Sequence, residues 1–207
     1  MAAQKFAGKL LMVLLFASCI AGAQLNKKVI FIGDSITFCW TSSATYCPNP
    51  PGLPYPKALN AGVSGETLAQ MDSRFISNVV AALPDIVVIL GGTNDLRLGN
   101  TLPAMKNTLL DMIRQAKAAG IRVIVGTVPP STNPQISLPQ LLAFNEWITN
   151  DLQVDCTCGL LSIADYFAAM ADVNGAPQPN FFFDGTHPAP LGYQVMAGVI
   201  MDAINGL

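Results

Sequence analysis

Apolar residues along this chain fall into two patterns: short unbroken runs, and longer stretches that recur every three or four positions. Val29-Ile30-Phe31-Ile32 and Ile86-Val87-Val88-Ile89-Leu90 are rich in β-branched residues and show no polar alternation. That is the signature of strands buried on both faces of a parallel sheet. Ile121 to Val125 repeats it, and Lys57 to Ala61 and Leu160 to Ile163 are read as two shorter strands. Between the runs lie stretches with helical spacing. Glu66 to Leu83 is stopped by Pro84, Leu102 to Ala119 carries Pro103 in its first turn and Gly120 at its end, and Leu138 to Leu152 and Pro190 to Ile204 follow. Pro48, Pro50, Pro51, Pro54 and Pro56 break any regular element in the loop they share. Parallel strands need crossover connections, so the alternation predicts an α/β chain. The expected form is a single-domain, doubly wound α/β/α sandwich around a central parallel sheet of about five strands. Functional side chains in such sheets gather at the carboxyl ends of the strands. Gly33 to Ser35 and Gly91 to Asp95 occupy two such ends.

The first residues change the picture of where the protein works. Lys5 and Lys9 precede the apolar run Leu10 to Phe16, and Ala21-Gly22-Ala23 offers small residues for cleavage, so residues 1–23 read as a secretion signal and 24–207 as the domain. The expected location is secreted or periplasmic, with no stable membrane insertion once the leader is removed. The run is short of the roughly 20 apolar residues of a spanning helix. Cys19 leaves a lipid-anchored form as the alternative. Without the leader, 9 basic residues face 13 acidic ones, a formal charge of −4. Apart from Lys27-Lys28 no basic cluster occurs, which argues against a nucleic-acid partner. Four cysteines remain, an even number suited to an oxidising compartment. Cys39 with Cys47 closes a short loop rich in turn formers and is the favoured disulfide, leaving Cys156 and Cys158 as a strained pair or as free thiols. Cys-Thr-Cys lacks the gap of a structural zinc site, so no metal is expected.

Chemistry enters with the single histidine. His187 lies three residues after Asp184 in Asp184-Gly185-Thr186-His187-Pro188, and Ser35 follows the first strand. A serine hydroxyl becomes a nucleophile when a nearby base accepts its proton, and histidine is the side chain suited to that near neutral pH. Asp184 is placed to fix the imidazole tautomer and to stabilise the imidazolium. Pro188 biases His187 towards extended backbone, as in a loop that presents its ring to a cleft. Asn94 offers an amide donor for a developing oxyanion, and a glycine lets backbone approach a ligand closely. Asp34 and Asp95 are expected to serve structure by accepting from nearby backbone. Thr37 stands where the second glycine of a Gly-x-Ser-x-Gly elbow would be, which disfavours the α/β-hydrolase fold.

Four segments, Gly33-Asp34-Ser35-Ile36-Thr37, Asn60 to Thr67, Gly91-Gly92-Thr93-Asn94-Asp95 and Asp184 to Pro188, stand in the order and spacing of the SGNH hydrolase blocks. The chain resembles that family, also called GDSL esterases and lipases, over nearly its whole length after the leader. The resemblance implies a flavodoxin-like sandwich, Ser35 as nucleophile, His187 as general base and Asp184 as its orienting acid. It also implies an oxyanion hole built from the Ser35 N–H, the Gly65 N–H and the Asn94 amide, with Gly62 as the alternative glycine. One departure is Ala189 ahead of Pro190, where relatives often place a helix-capping Asn or Ser.

The expected activity is hydrolysis of short-chain acyl or acetyl esters, acetylated carbohydrate among them, through an acyl-enzyme and without a cofactor. Alternatives in the same family are a lysophospholipase or thioesterase, or an acyltransferase using the same triad; a non-catalytic binding module is the reading outside it. Trp40 and Tyr46 flank the Cys39 to Cys47 loop just after the nucleophile and are candidates for a substrate rim. Oligomeric state is not encoded in any of these features.

Overall fold

The structure, a computed structural model, describes residues 27–47, 49–156 and 161–207. The leader, Cys19 and Cys158 lie outside the described residues. In chain order the elements are β1 (Val29–Gly33), α1 (Ser35–Phe38), β2 (Ala58–Gly62), α2 (Leu68–Ser73), α3 (Phe75–Asn78), a 3-10 turn (Val80–Ala82) and β3 (Ile86–Leu90). They continue with α4 (Thr93–Leu98), α5 (Leu102–Ala118), β4 (Arg122–Gly126), α6 (Leu138–Asn150), α7 (Leu152–Cys156), β5 (Leu161–Ala164), α8 (Tyr166–Met170) and α9 (Pro190–Asn205). The strands form one sheet in the order β2-β1-β3-β4-β5, every pair parallel. β1 and β3 are neighbours, and the chain turns opposite ways from them. A crevice therefore opens beyond their carboxyl ends.

Alternate residues of β1 serve opposite layers. Ile30 and Ile32 pack with Leu68, Met71, Phe75, Leu109, Ile113 and Phe144 of α2, α3, α5 and α6. Val29 and Phe31 pack on the other face with Trp40, Tyr166, Tyr193, Met196 and Ile200. Both faces of β1 and β3 are fully buried, which is why their sequences show no polar alternation.

The long helix expected over Glu66 to Leu83 is broken into α2, α3 and the 3-10 turn. Ser73, Asn78, Val79 and Val80 are weak helix formers, and the break at Arg74 (φ −112°, ψ 5°) turns its guanidinium back onto Glu66. Nε donates to both carboxylate oxygens at 2.9 and 2.8 Å, and Nη2 donates at 2.6 Å. A half-buried tertiary ion pair thus outweighs local helical spacing. The helix expected over Leu138 to Leu152 likewise ends at Asn150, and α7 starts afresh at Leu152. Three short helices, α1, α4 and α8, lie where the sequence pattern offered only turns and loops.

Candidate active site

The two ends of the crevice are built differently. After β1, Asp34 caps α1 by accepting from the Ile36 N–H at 2.9 Å. This makes Ser35 the first helical residue, whose N–H has no intrahelical acceptor. On the far side of α1, the buried Tyr193 of α9 donates its hydroxyl to the Ile36 carbonyl at 2.8 Å. α9 starts at Pro190, and Ala189 at its N-cap position supplies no side-chain cap.

The loop before α9 carries the histidine. Asp184 Oδ1 accepts from the backbone N–H groups of Thr186 (3.0 Å) and His187 (2.8 Å), folding the segment into a tight turn. The Thr132 N–H donates to the Gly185 carbonyl at 2.9 Å, and the Phe183 N–H donates to the His187 carbonyl at 2.8 Å. The turn brings Asp184 Oδ2 to 2.7 Å from His187 Nδ1. A carboxylate only accepts, so Nδ1 carries the proton and Nε2 is left as an acceptor. Ser35 Oγ lies 2.9 Å from that Nε2, across 152 residues of sequence, and donates to it. Burial alone would push the Asp184 carboxyl up. Hydrogen bonds from the His187 N–H, its ring and the Thr186 N–H, with the imidazole charge, outweigh that and hold it below the usual carboxylate range.

Asn94 is fixed at both ends of its amide. Nδ2 donates to the Glu66 carbonyl at 3.0 Å and lies 3.5 Å from Asp34 Oδ2, while Oδ1 accepts from Arg97 Nη2 at 3.4 Å. Those partners assign the amide orientation. Gly65 sits in a turn closed by the Glu66 N–H to Val63 carbonyl bond, at φ +81°, where a side chain would be strained. A Cβ there would meet nothing within 4 Å, so conformation is what selects glycine. Gly62 is different: its N–H donates to Asn60 Oδ1, and a Cβ would collide with the backbone of α1 at Phe38. Of the two glycines, Gly65 faces the cleft and Gly62 packs against α1. Asp95 has a structural task, accepting from the Leu68 N–H and from Asn100 Nδ2, each at 2.9 Å.

Ser35, Gly65, Asn94, Asp184 and His187 line one cleft of about 480 Å³, together with Tyr46, Ser64, Thr93, Arg97, Thr132, Asn133, Pro134 and Thr186. The Tyr46 ring centroid is 5.2 Å from that of His187, and the Tyr46 hydroxyl donates to Ser64 Oγ at 2.9 Å. Cys39 is bonded to Cys47, which closes the loop that carries this tyrosine. Trp40 corrects the expectation of a rim. It is 2% exposed, with its ring 4.8 Å from Tyr193 edge-on, because it follows α1 on the side facing α9. Its large apolar surface gains more from that core than from a cleft. Arg97 and the wall from Thr132 to Pro134 went unnoticed in the sequence. Arg97 is three residues after Asn94, a helical spacing that became visible only once α4 was known to exist.

The family model for the GDSL-like lipase/acylhydrolase family matches residues 31–195. The chain belongs to the GDSL-like family. Its sequence is similar to an acetylxylan esterase from Geobacillus stearothermophilus, 33% identical over 99 residues, a match covering 39% of this chain and 45% of that protein. The chain thus spans under half the length of that relative. Among solved structures it is similar to a GDSL-like lipase from Bacteroides thetaiotaomicron, with TM-score 0.69 and 25% identity over 87% of this chain and 88% of the other. An acetylxylan esterase structure from Geobacillus stearothermophilus shares the fold, with TM-score 0.67 and 22% identity over 86% and 94% of the two chains.

Proposed function

We propose that this GDSL-like protein is a serine esterase that hydrolyses short-chain acyl or acetyl esters. The observation that carries the reading is the 2.9 Å approach of Ser35 Oγ to His187 Nε2, with Asp184 2.7 Å behind the ring. As Ser35 Oγ attacks the ester carbonyl, its proton passes to Nε2, and the charged ring is held by Asp184. The N–H groups of Ser35 and Gly65 and the Asn94 amide receive the oxyanion. Breakdown of the tetrahedral intermediate breaks the bond to the alkoxy oxygen, which takes the proton from Nε2 and leaves as the alcohol. A water activated by the same imidazole then attacks the acyl-enzyme, releasing the acid and restoring Ser35.

Acetylated carbohydrate is the favoured substrate class. Ser64, Thr93, Thr132, Asn133 and Thr186 line the cleft and, among the described residues, no Leu, Ile, Val or Met does, which suits a short acyl group on a polyhydroxylated alcohol better than a long aliphatic chain. Similarity to an acetylxylan esterase points the same way. Residues 1–23 act as an export signal in this reading and 24–207 form the working domain; the Cys39–Cys47 disulfide supports a destination in an oxidising compartment.

The test is covalent. A fluorophosphonate should label the protein at Ser35 and abolish hydrolysis of p-nitrophenyl acetate and butyrate, and Ser35→Ala should lose both labelling and turnover. Full activity in Ser35→Ala would remove the proposal.

A further inference from the structure

One cation reaches the cleft beside the proposed oxyanion donors. Arg97 lines it from α4, and the hydrogen bond to Asn94 Oδ1 is a long one, at 3.4 Å. Among the described residues no carboxylate pairs with this guanidinium, whereas Arg74 is held by Glu66 and Arg114 by Asp111. The carboxylate in the cleft lining, Asp184, is already engaged by the imidazole and two backbone N–H groups. A guanidinium carries five N–H donors in a fixed fork that matches a carboxylate. A single long bond to a neutral amide leaves most of that capacity directed elsewhere. In a cleft walled by protein its field is screened less than that of a surface arginine, so it raises the local concentration of anions.

We propose that Arg97 receives a carboxylate carried by the ester substrate and so sets a preference for anionic over neutral esters. The inference rests on the esterase reading of the same site. Because Arg97 touches the amide that faces the reacting carbonyl, the carboxylate stands only a few bonds from the scissile ester. It belongs either to the acyl group, as in a dicarboxylic half-ester, or to the alcohol, as in an acylated sugar acid.

Two matched pairs distinguish these sources: monomethyl succinate against methyl butyrate, and 4-acetoxybenzoate against its methyl ester, with kcat/KM followed by titration of released acid. In one pair the wild-type protein should favour the anionic member. Arg97→Gln should lower that preference about tenfold or more, the size of a charge-assisted hydrogen bond. Arg97→Lys should retain part of it, and added salt should weaken it in the wild type. Indifference to charge in both pairs overturns the inference. So does an equal loss on both members in Arg97→Gln, the behaviour of a residue that only orients Asn94. Fluorophosphonate labelling separates the two levels: a labelled protein without charge preference removes this inference alone, and a protein neither labelled nor active removes the esterase reading as well.

Discussion

Asn94 shows how much one side chain depends on its neighbours. The Glu66 carbonyl and the Arg97 guanidinium fix its amide, and the second Nδ2 hydrogen, held only by a 3.5 Å contact to Asp34 Oδ2, is the preorganised donor that the esterase reading uses. A preorganised donor aimed at developing charge is worth far more than one that must reorient. Asn94→Ala should therefore lower kcat roughly 100- to 1,000-fold while KM changes little, measured on p-nitrophenyl acetate. A KM increase at constant kcat would mean that the amide binds ground state and transition state alike.

At the scale of elements, the cleft is assembled by contacts from side chains that are not part of its lining. Tyr193 of α9 ties down α1, which begins with Ser35. The Glu66 to Arg74 ion pair, with Arg74 Nη2 also donating to the Gly33 carbonyl at 3.4 Å, links the turn after β2 to the end of β1. The Cys39–Cys47 disulfide does the same for the loop that sets Tyr46 against His187. Loop-closure entropy for so short a ring gives about 2–3 kcal/mol. The Cys39→Ala/Cys47→Ala double variant should accordingly unfold at lower denaturant, with a slope equal to or slightly steeper than that of the wild type because its unfolded chain is less constrained, and its KM should rise as Tyr46 loses its fixed position. Equal stability with and without reductant in the wild type would contradict this.

For the whole molecule the decisive electrostatic feature is a carboxyl placed in the core to shape the site. Burial pushes Asp34 up to about 7; the Ile36 N–H pulls it down, and the charges of Asp95 and Glu66 push it up. A carboxyl whose pKa is higher in the folded than in the unfolded state holds its proton more tightly when folded. Its contribution is complete below the unfolded value of 3.8 and is lost as pH rises through about 7. Asp184, held below its ordinary value, acts in the opposite sense, losing its contribution as pH falls below 3.8. The windows do not overlap. Asp34→Asn keeps an acceptor for Ile36 and removes the titration, so its Tm should fall less than that of the wild type between pH 4 and 7. The ceiling on the difference is on the order of 4 kcal/mol. Parallel Tm profiles would show that Asp34 does not titrate in this range. Among the described residues no helix is long and apolar enough to cross a membrane.

Elements with a local signal are legible in the chain alone. The buried strands announce themselves by unbroken β-branched runs because both faces meet helices, and α5 and α9 by apolar spacing and a proline in the first turn. The sequence also identified Ser35, Asp184 and His187 as residue types that belong together, since a lone imidazole leaves a serine few other bases. Tertiary structure alone decided the rest. Trp40 became core rather than rim because its neighbours across α9 are apolar, a fact residing in a segment some 150 positions away. The helix after Thr67 broke at Arg74 because an ion pair and a backbone carbonyl outweighed helical spacing in a stretch of weak helix formers. Arg97 entered the cleft because a short helix forms beyond β3, where local sequence shows only a glycine turn. Periodicity records which way a residue faces within its own element; what it faces depends on long-range packing, which no short window of sequence contains.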